Sequence, residues 1–217
     1  MRLNRPRAIL FDWDSTLVDN WAAIYEALNA TLVAMGHAPW NRAEMRARVR
    51  ESARNSFPRV FGERWHEAMR IFYDRFTANH LETLTARPGA AEMLAGLAAK
   101  DIYLGVVSNK RGDLLRREAV HLSWAAYFAR MVGAMDAAED KPAVAAVELA
   151  LAGSGIPRGP AVWFVGDAAI DVECARNAGC TAVLMGEAPP EMAEITAPQP
   201  DRWISGCSAL AALVRDL

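Results

Sequence analysis

Three apolar runs, each cut off by a polar residue, constrain this chain more than any other feature of it. Residues 8–11 end abruptly in Asp12, residues 103–107 end at Ser108-Asn109-Lys110, and residues 161–165 end at Gly166-Asp167. Short continuous apolar runs fit strands buried on both faces of a parallel sheet. Helical patterns separate them. Pro88 opens a stripe of Ala90, Met93, Leu94 and Leu97, and a second helix starts near Gly112. A third runs from Pro142 to about Leu151, a fourth follows Asp167 to about Ala178, and a last one starts near Ser208. Further short strands are expected at 131–132, 181–184 and 203–204. This alternation implies an α/β fold, a doubly wound parallel sheet with right-handed crossovers. Such sheets bind ligands beyond the carboxyl ends of their strands, and Asp12, Ser108 and Asp167 stand at three of those ends.

One section breaks the alternation. Trp21, Ile24, Tyr25, Leu28, Leu32 and Met35 form a helical stripe closed by Gly36, and residues 41–80 read as helical throughout. That section holds many arginines and the aromatics Phe57, Phe61, Trp65, Phe72, Tyr73 and Phe76. It reads as an inserted all-helical cap, residues 17–87, within a core of residues 1–16 and 88–217.

With 217 residues, 53% of them apolar, the chain can bury a sizeable core. A formal net charge of −2 and no basic stripe argue against nucleic acid, and no segment has the length or apolarity to span a bilayer. A soluble, cytoplasmic protein is expected, monomer or homodimer. Cys174, Cys180 and Cys207 are odd in number and lack CxxC spacing, which suits buried thiols better than a disulfide or a zinc site. Lysine is scarce: Lys100, Lys110 and Lys141 are the only three.

The chemistry-bearing residues cluster at the strand ends. Asp12-Trp13-Asp14 sets two carboxylates two residues apart. One carboxylate can attack phosphorus, and the other can protonate a leaving oxygen and later take a proton from water. The same pair can also cap a helix. Asp167 and Asp171 lie at the start of another helix, where acidic side chains are favourable without any metal. Four aspartates gathered at strand ends would repel one another without a cation, which favours a magnesium site. Lys141 precedes a helix, an unfavourable place for a cation unless an anion is near; a phosphate would supply one, and a solvated lysine is the alternative. Ser108 and Asn109 offer donors to phosphate oxygens, or simply form a turn.

In this order, FDWDSTLVD, VVSNK, DKP and VWFVGDAAIDVECARNAG resemble the haloacid dehalogenase-like superfamily, in its phosphoglycolate phosphatase and β-phosphoglucomutase branch. The resemblance covers essentially the whole chain. It implies Asp12 as nucleophile and Mg²⁺ ligand, and Asp14 as acid/base with its backbone carbonyl on the metal. It also implies Thr16 as a support of the loop, Ser108 and Lys141 as holders of the phosphate, and Asp167 and Asp171 as metal residues. Arg54 resembles the cap arginine that takes a substrate's distal anionic group; in a chain rich in arginine, an ordinary solvated role is the alternative. The family commonly has glycine where this chain has Ser15. Dehalogenases of the superfamily lack the second aspartate, and phosphonatases need a cap lysine that this cap does not contain. The reading is a Mg²⁺-dependent phosphatase acting on a small phosphorylated metabolite, with phosphoglycolate the leading substrate. A phosphosugar mutase, a phosphoacceptor signalling domain and a non-catalytic binding protein are the alternatives.

Overall fold

The computed structural model describes residues 3–49, 51–186 and 199–217. Two compact units emerge: one made of residues 1–19 and 86–217, the other of residues 20–85.

The first unit is built on a sheet of six strands in the order β5-β4-β1-β6-β7-β8. In chain order these are β1 (Ala8–Phe11), β4 (Tyr103–Arg111), β5 (Arg130–Ala134), β6 (Val162–Gly166), β7 (Thr181–Met185) and β8 (Arg202–Ile204), every neighbouring pair parallel. β2 (Val18–Asp19) and β3 (Thr85–Ala86) pair as a separate two-stranded sheet. Phe11 is in register with Val106 on one side and Val165 on the other, so the residues that follow these strands emerge side by side. β1 and β6 are buried along their whole length, as their unbroken apolar runs require.

Helices α5 (Ala90–Ala98), α6 (Gly112–His121), α7 (Val144–Leu151), α8 (Ala169–Asn177) and α9 (Cys207–Arg215) accompany this sheet. The stripe read from the sequence of α5, Ala90, Met93, Leu94 and Leu97, is the buried face of that helix. One core cluster joins Leu10, Val107, Val132, Val147 and Phe164 to the small residues Ala175, Ala178 and Ala182. The three cysteines are free and buried.

The second unit is all-helical: α1 (Trp21–Ala34), α2 (Arg42–Arg48), α3 (Ala53–Phe61) and α4 (Trp65–Asn79). Its core is aromatic. Phe57 meets Phe61 and Phe72 edge-on at 5.0 and 5.6 Å, and Phe76 stacks with Phe72 and His80. Several of its arginines lie over rings, Arg46 on Trp21 and Arg48 on Trp40, so they cover apolar surface as well as carrying charge.

Two details differ from the sequence reading. β4 runs on through Ser108-Asn109-Lys110 to Arg111, because its backbone still pairs with β5 after a register shift beyond Val107. Helix α7 begins at Val144: the Ala143 N–H donates to the Asp140 carbonyl, closing a turn that holds Lys141 and Pro142 ahead of the helix.

Candidate active site

β1 delivers Asp12, whose N–H donates to the Val165 carbonyl of the adjoining strand, fixing the backbone where the carboxylate begins. The chain then tightens. Ser15 has φ +67°, the left-handed region in which glycine is at ease, and its N–H donates to Val18. That geometry would suit the glycine that the family resemblance leads one to expect at this position. Thr16, fully buried, lies 3.2 Å from Asp167 Oδ1 and 3.4 Å from Asp12 Oδ2, within reach of both carboxylates.

Asp12, Asp167 and Asp171 converge: each offers a carboxylate oxygen, and these oxygens all lie within 4.8 Å of one another. Lys141 bridges two of them, only 2% exposed, with Nζ 2.6 Å from Asp12 Oδ1 and 2.7 Å from Asp171 Oδ1. A solvated lysine is thus excluded, and the anions that offset its place before a helix include the protein's own aspartates. The capping role of Asp171 is real as well, since its Oδ2 accepts the N–H groups of Asp167 and Ala168. Capping and charge clustering are two uses of one side chain.

Ser108 is buried on the extended end of β4, and its Oγ accepts the Lys110 N–H. Asn109 donates through Nδ2 to the Lys141 carbonyl, while its buried Oδ1 finds no partner among the described residues. Arg54 lies in the helical unit, in the first turn of α3.

The Asp14 carboxylate stands outside the acidic cluster. It faces Lys110, with Nζ at 2.8 Å from Oδ1, and Lys110 in turn bonds Glu118 at 2.6 and 2.8 Å. Glu118 is wholly buried on α6 and also accepts from Trp13 Nε1 at 2.7 Å. The Trp13 ring itself is core, edge-on to Trp124 and Phe128. Sequence reasoning missed this group, although a signal existed. Glu118 falls on the same helical face as Leu114 and Leu115, and a carboxylate on an apolar stripe needs a buried partner.

The electrostatics follow from burial. Desolvation raises the Asp12 carboxyl to about 6, against the pull of Lys141 and with a further push from Asp171. Desolvation together with Asp171 and Asp12 raises Asp167 to about 8. Asp14 is raised too, by burial first, with Lys110 opposing. Burial alone would lower both lysines, but the carboxylates facing them outweigh it and hold both ammonium groups charged. Five carboxylates here share two ammonium groups. Three converging hard oxygen donors with excess negative charge fit a divalent cation such as magnesium.

The sequence pattern of haloacid dehalogenase-like hydrolases matches residues 9–185. The chain belongs to that family. A phosphoglycolate phosphatase from Rhodospirillum rubrum is 32% identical over 192 residues, 83% of this chain and 79% of its own length. One from Chromobacterium violaceum is 29% identical over 195 residues, covering 86% and 87%. Pyrophosphatase PpaX from Listeria innocua is 27% identical over 215 residues, 96% of each chain. The fold is shared with CbbY from Rhodobacter sphaeroides, solved in complex with phosphate, at a TM-score of 0.82 and 22% identity, covering 98% of this chain and all of that one. Within its superfamily the chain falls in the phosphoglycolate phosphatase-like branch and is a phosphatase. Among the described residues no helix is long and apolar enough to cross a membrane.

Proposed function

We propose that the chain is a magnesium-dependent phosphatase that hydrolyses a small phosphomonoester through an aspartyl-phosphate on Asp12. The observation that carries the reading is the division of the carboxylates into two groups. Asp12 sits with Asp167, Asp171 and Lys141, whereas Asp14, two residues on, is held apart by Lys110. Asp12, Asp167 and Asp171 would hold the cation, with the main-chain carbonyl of Asp14 as a further oxygen. When bound, that ion neutralises charge between the phosphate and the carboxylates.

In the first half-reaction an Asp12 oxygen bonds to phosphorus while the bond to the leaving alcohol breaks, and Asp14 gives its proton to that alcohol oxygen. Lys141, Ser108 and Asn109 balance and orient the transferring phosphoryl oxygens. In the second half Asp14 takes a proton from water, whose oxygen bonds to phosphorus and frees the Asp12 carboxylate. Thr16 steadies the carboxylates of Asp12 and Asp167.

Two relatives named as phosphoglycolate phosphatases support phosphoglycolate as the leading substrate, and the helical unit would select it, with Arg54 for its distal carboxylate. The Listeria relative named as a pyrophosphatase, matched over 96% of both chains, supports pyrophosphate as the second reading. The test is phosphate release from 2-phosphoglycolate, pyrophosphate and β-glucose 1-phosphate, with Mg²⁺ or EDTA and with Asp12→Asn as control. Magnesium-dependent release that the variant loses is expected. Release that survives Asp12→Asn would sink the mechanism, and conversion of the sugar phosphate to its 6-phosphate isomer would point to a mutase.

A further inference from the structure

We infer that Lys110, locked in place by Glu118 and Trp13, is a positioning residue for Asp14, aiming its carboxyl at the leaving-group oxygen. The inference rests on the phosphatase reading and concerns one half of its proton transfer.

The geometry of the group is the argument. An ammonium has three N–H donors. Lys110 Nζ meets Glu118 Oε1 at 2.8 Å, Glu118 Oε2 at 2.6 Å and Asp14 Oδ1 at 2.8 Å. Glu118 is fixed from its other side by Trp13 Nε1, and the Trp13 ring is clamped by Trp124 and Phe128. A rigid line therefore runs from the core to Asp14: indole, carboxylate, ammonium, carboxyl. Side-chain exposure rises along it, 0% at Glu118, 5% at Lys110 and 23% at Asp14. The one partly exposed member is the residue that must reach a substrate.

The backbone supports the same role. A Cβ on Gly133 would collide with the Lys110 carbonyl and with Gly112, so only glycine there lets the end of β4 lie close on β5 and present Lys110. A buried ion pair is a weak source of stability compared with well-packed apolar residues, so stability alone is a poor reason for a carboxylate on the apolar face of α6. Without Lys110, Asp14 loses its fixed partner and is left to the pull of Lys141.

An ester with a poor leaving group, such as an alkyl phosphate, needs that proton; 4-nitrophenyl phosphate, whose leaving group departs as a stable anion, does not. The experiment measures kcat and KM on 4-nitrophenyl phosphate and on whichever alkyl phosphate the wild type turns over fastest. The variants are Lys110→Met, Lys110→Arg and the double variant Lys110→Met/Glu118→Gln. The double variant removes one charge of each sign, so no unpaired carboxylate is left at the fully buried Glu118 position, and it keeps an acceptor for Trp13; it reports even where Lys110→Met fails to fold, and near-UV circular dichroism checks each.

General acid catalysis contributes about 10²–10⁴-fold, so loss of aim should lower kcat/KM, which reads the half-reaction up to release of the alcohol, at least about tenfold more on the alkyl ester than on the aryl ester. Lys110→Arg should recover part of the loss. Equal losses of kcat/KM on both esters, or no loss on either, would overturn the positioning role while leaving the phosphatase standing. A wild type without Asp12-dependent release from either ester would overturn both.

Discussion

Replacing Lys141 with methionine tests the electrostatic account of the acidic cluster most directly. Lys141 Nζ bonds Asp12 at 2.6 Å and Asp171 at 2.7 Å, with the Phe164 ring 5.7 Å away. Methionine fills similar space and removes the charge. Breaking a buried pair by deleting one partner costs about 3–5 kcal/mol, because the surviving charge is left uncompensated. For a chain of this size each kcal/mol moves the thermal midpoint by about 2–4 °C, so a fall of roughly 6–20 °C is expected near neutral pH.

The pH dependence has a definite sign. Asp12 is raised to about 6 and Asp167 to about 8. A raised carboxyl holds its proton more tightly folded than unfolded. Its unfavourable contribution is therefore absent below the ordinary value of 3.8 and complete only above the folded one. Lys141 is shifted upward and stays charged throughout this window, so the slope comes from the carboxylates. Without the ammonium they rise further and accept protons in mild acid, which relieves the strain. The deficit of Lys141→Met should thus be several degrees smaller at about pH 5 than at about pH 8 in EDTA. Thermal unfolding followed by circular dichroism reads both. A midpoint unchanged at the higher pH, or equal deficits at the two, would refute the view that this ammonium compensates buried carboxylates.

Magnesium should stabilise the wild type by about 2.7 kcal/mol at a hundred times its Kd, raising its thermal midpoint, and EDTA should reverse it; indifference to the ion, read by differential scanning fluorimetry, would count against the acidic triad as its site. Gly133→Ala should destabilise by about 1–3 kcal/mol in urea unfolding, since the added methyl meets backbone rather than a movable side chain. Burial pushes the Cys174 thiol up to about 12 and raises Cys180 and Cys207 as well. The folded protein should therefore resist iodoacetamide at neutral pH, and all three thiols should label once it is denatured.

The local patterns of this chain carried much of the answer. Residues 8–11 and 161–165 read as buried strands because their apolar runs leave no polar face, and β1 (Ala8–Phe11) and β6 (Val162–Gly166) are where they fall. The stripe of α5 named its own buried side, and the acidic residues at the strand ends were legible because such sheets gather their ends on one edge. What local pattern did not carry depended on partners far away in sequence. Polar Ser108-Asn109-Lys110 looked like the end of a strand, yet β5 supplied pairing that carried β4 onward. Pro142 looked like a first helical residue, yet the turn from Asp140 to Ala143 placed it ahead of the helix. Lys110 and Glu118 drew no role from their neighbours in sequence. Their meaning comes from Asp14, 96 residues from Lys110, and from Trp13, 105 residues from Glu118. Hydrophobic periodicity is a local property and names the faces that must be buried; a buried charge is decided by what meets it there, and only the folded chain brings those groups together.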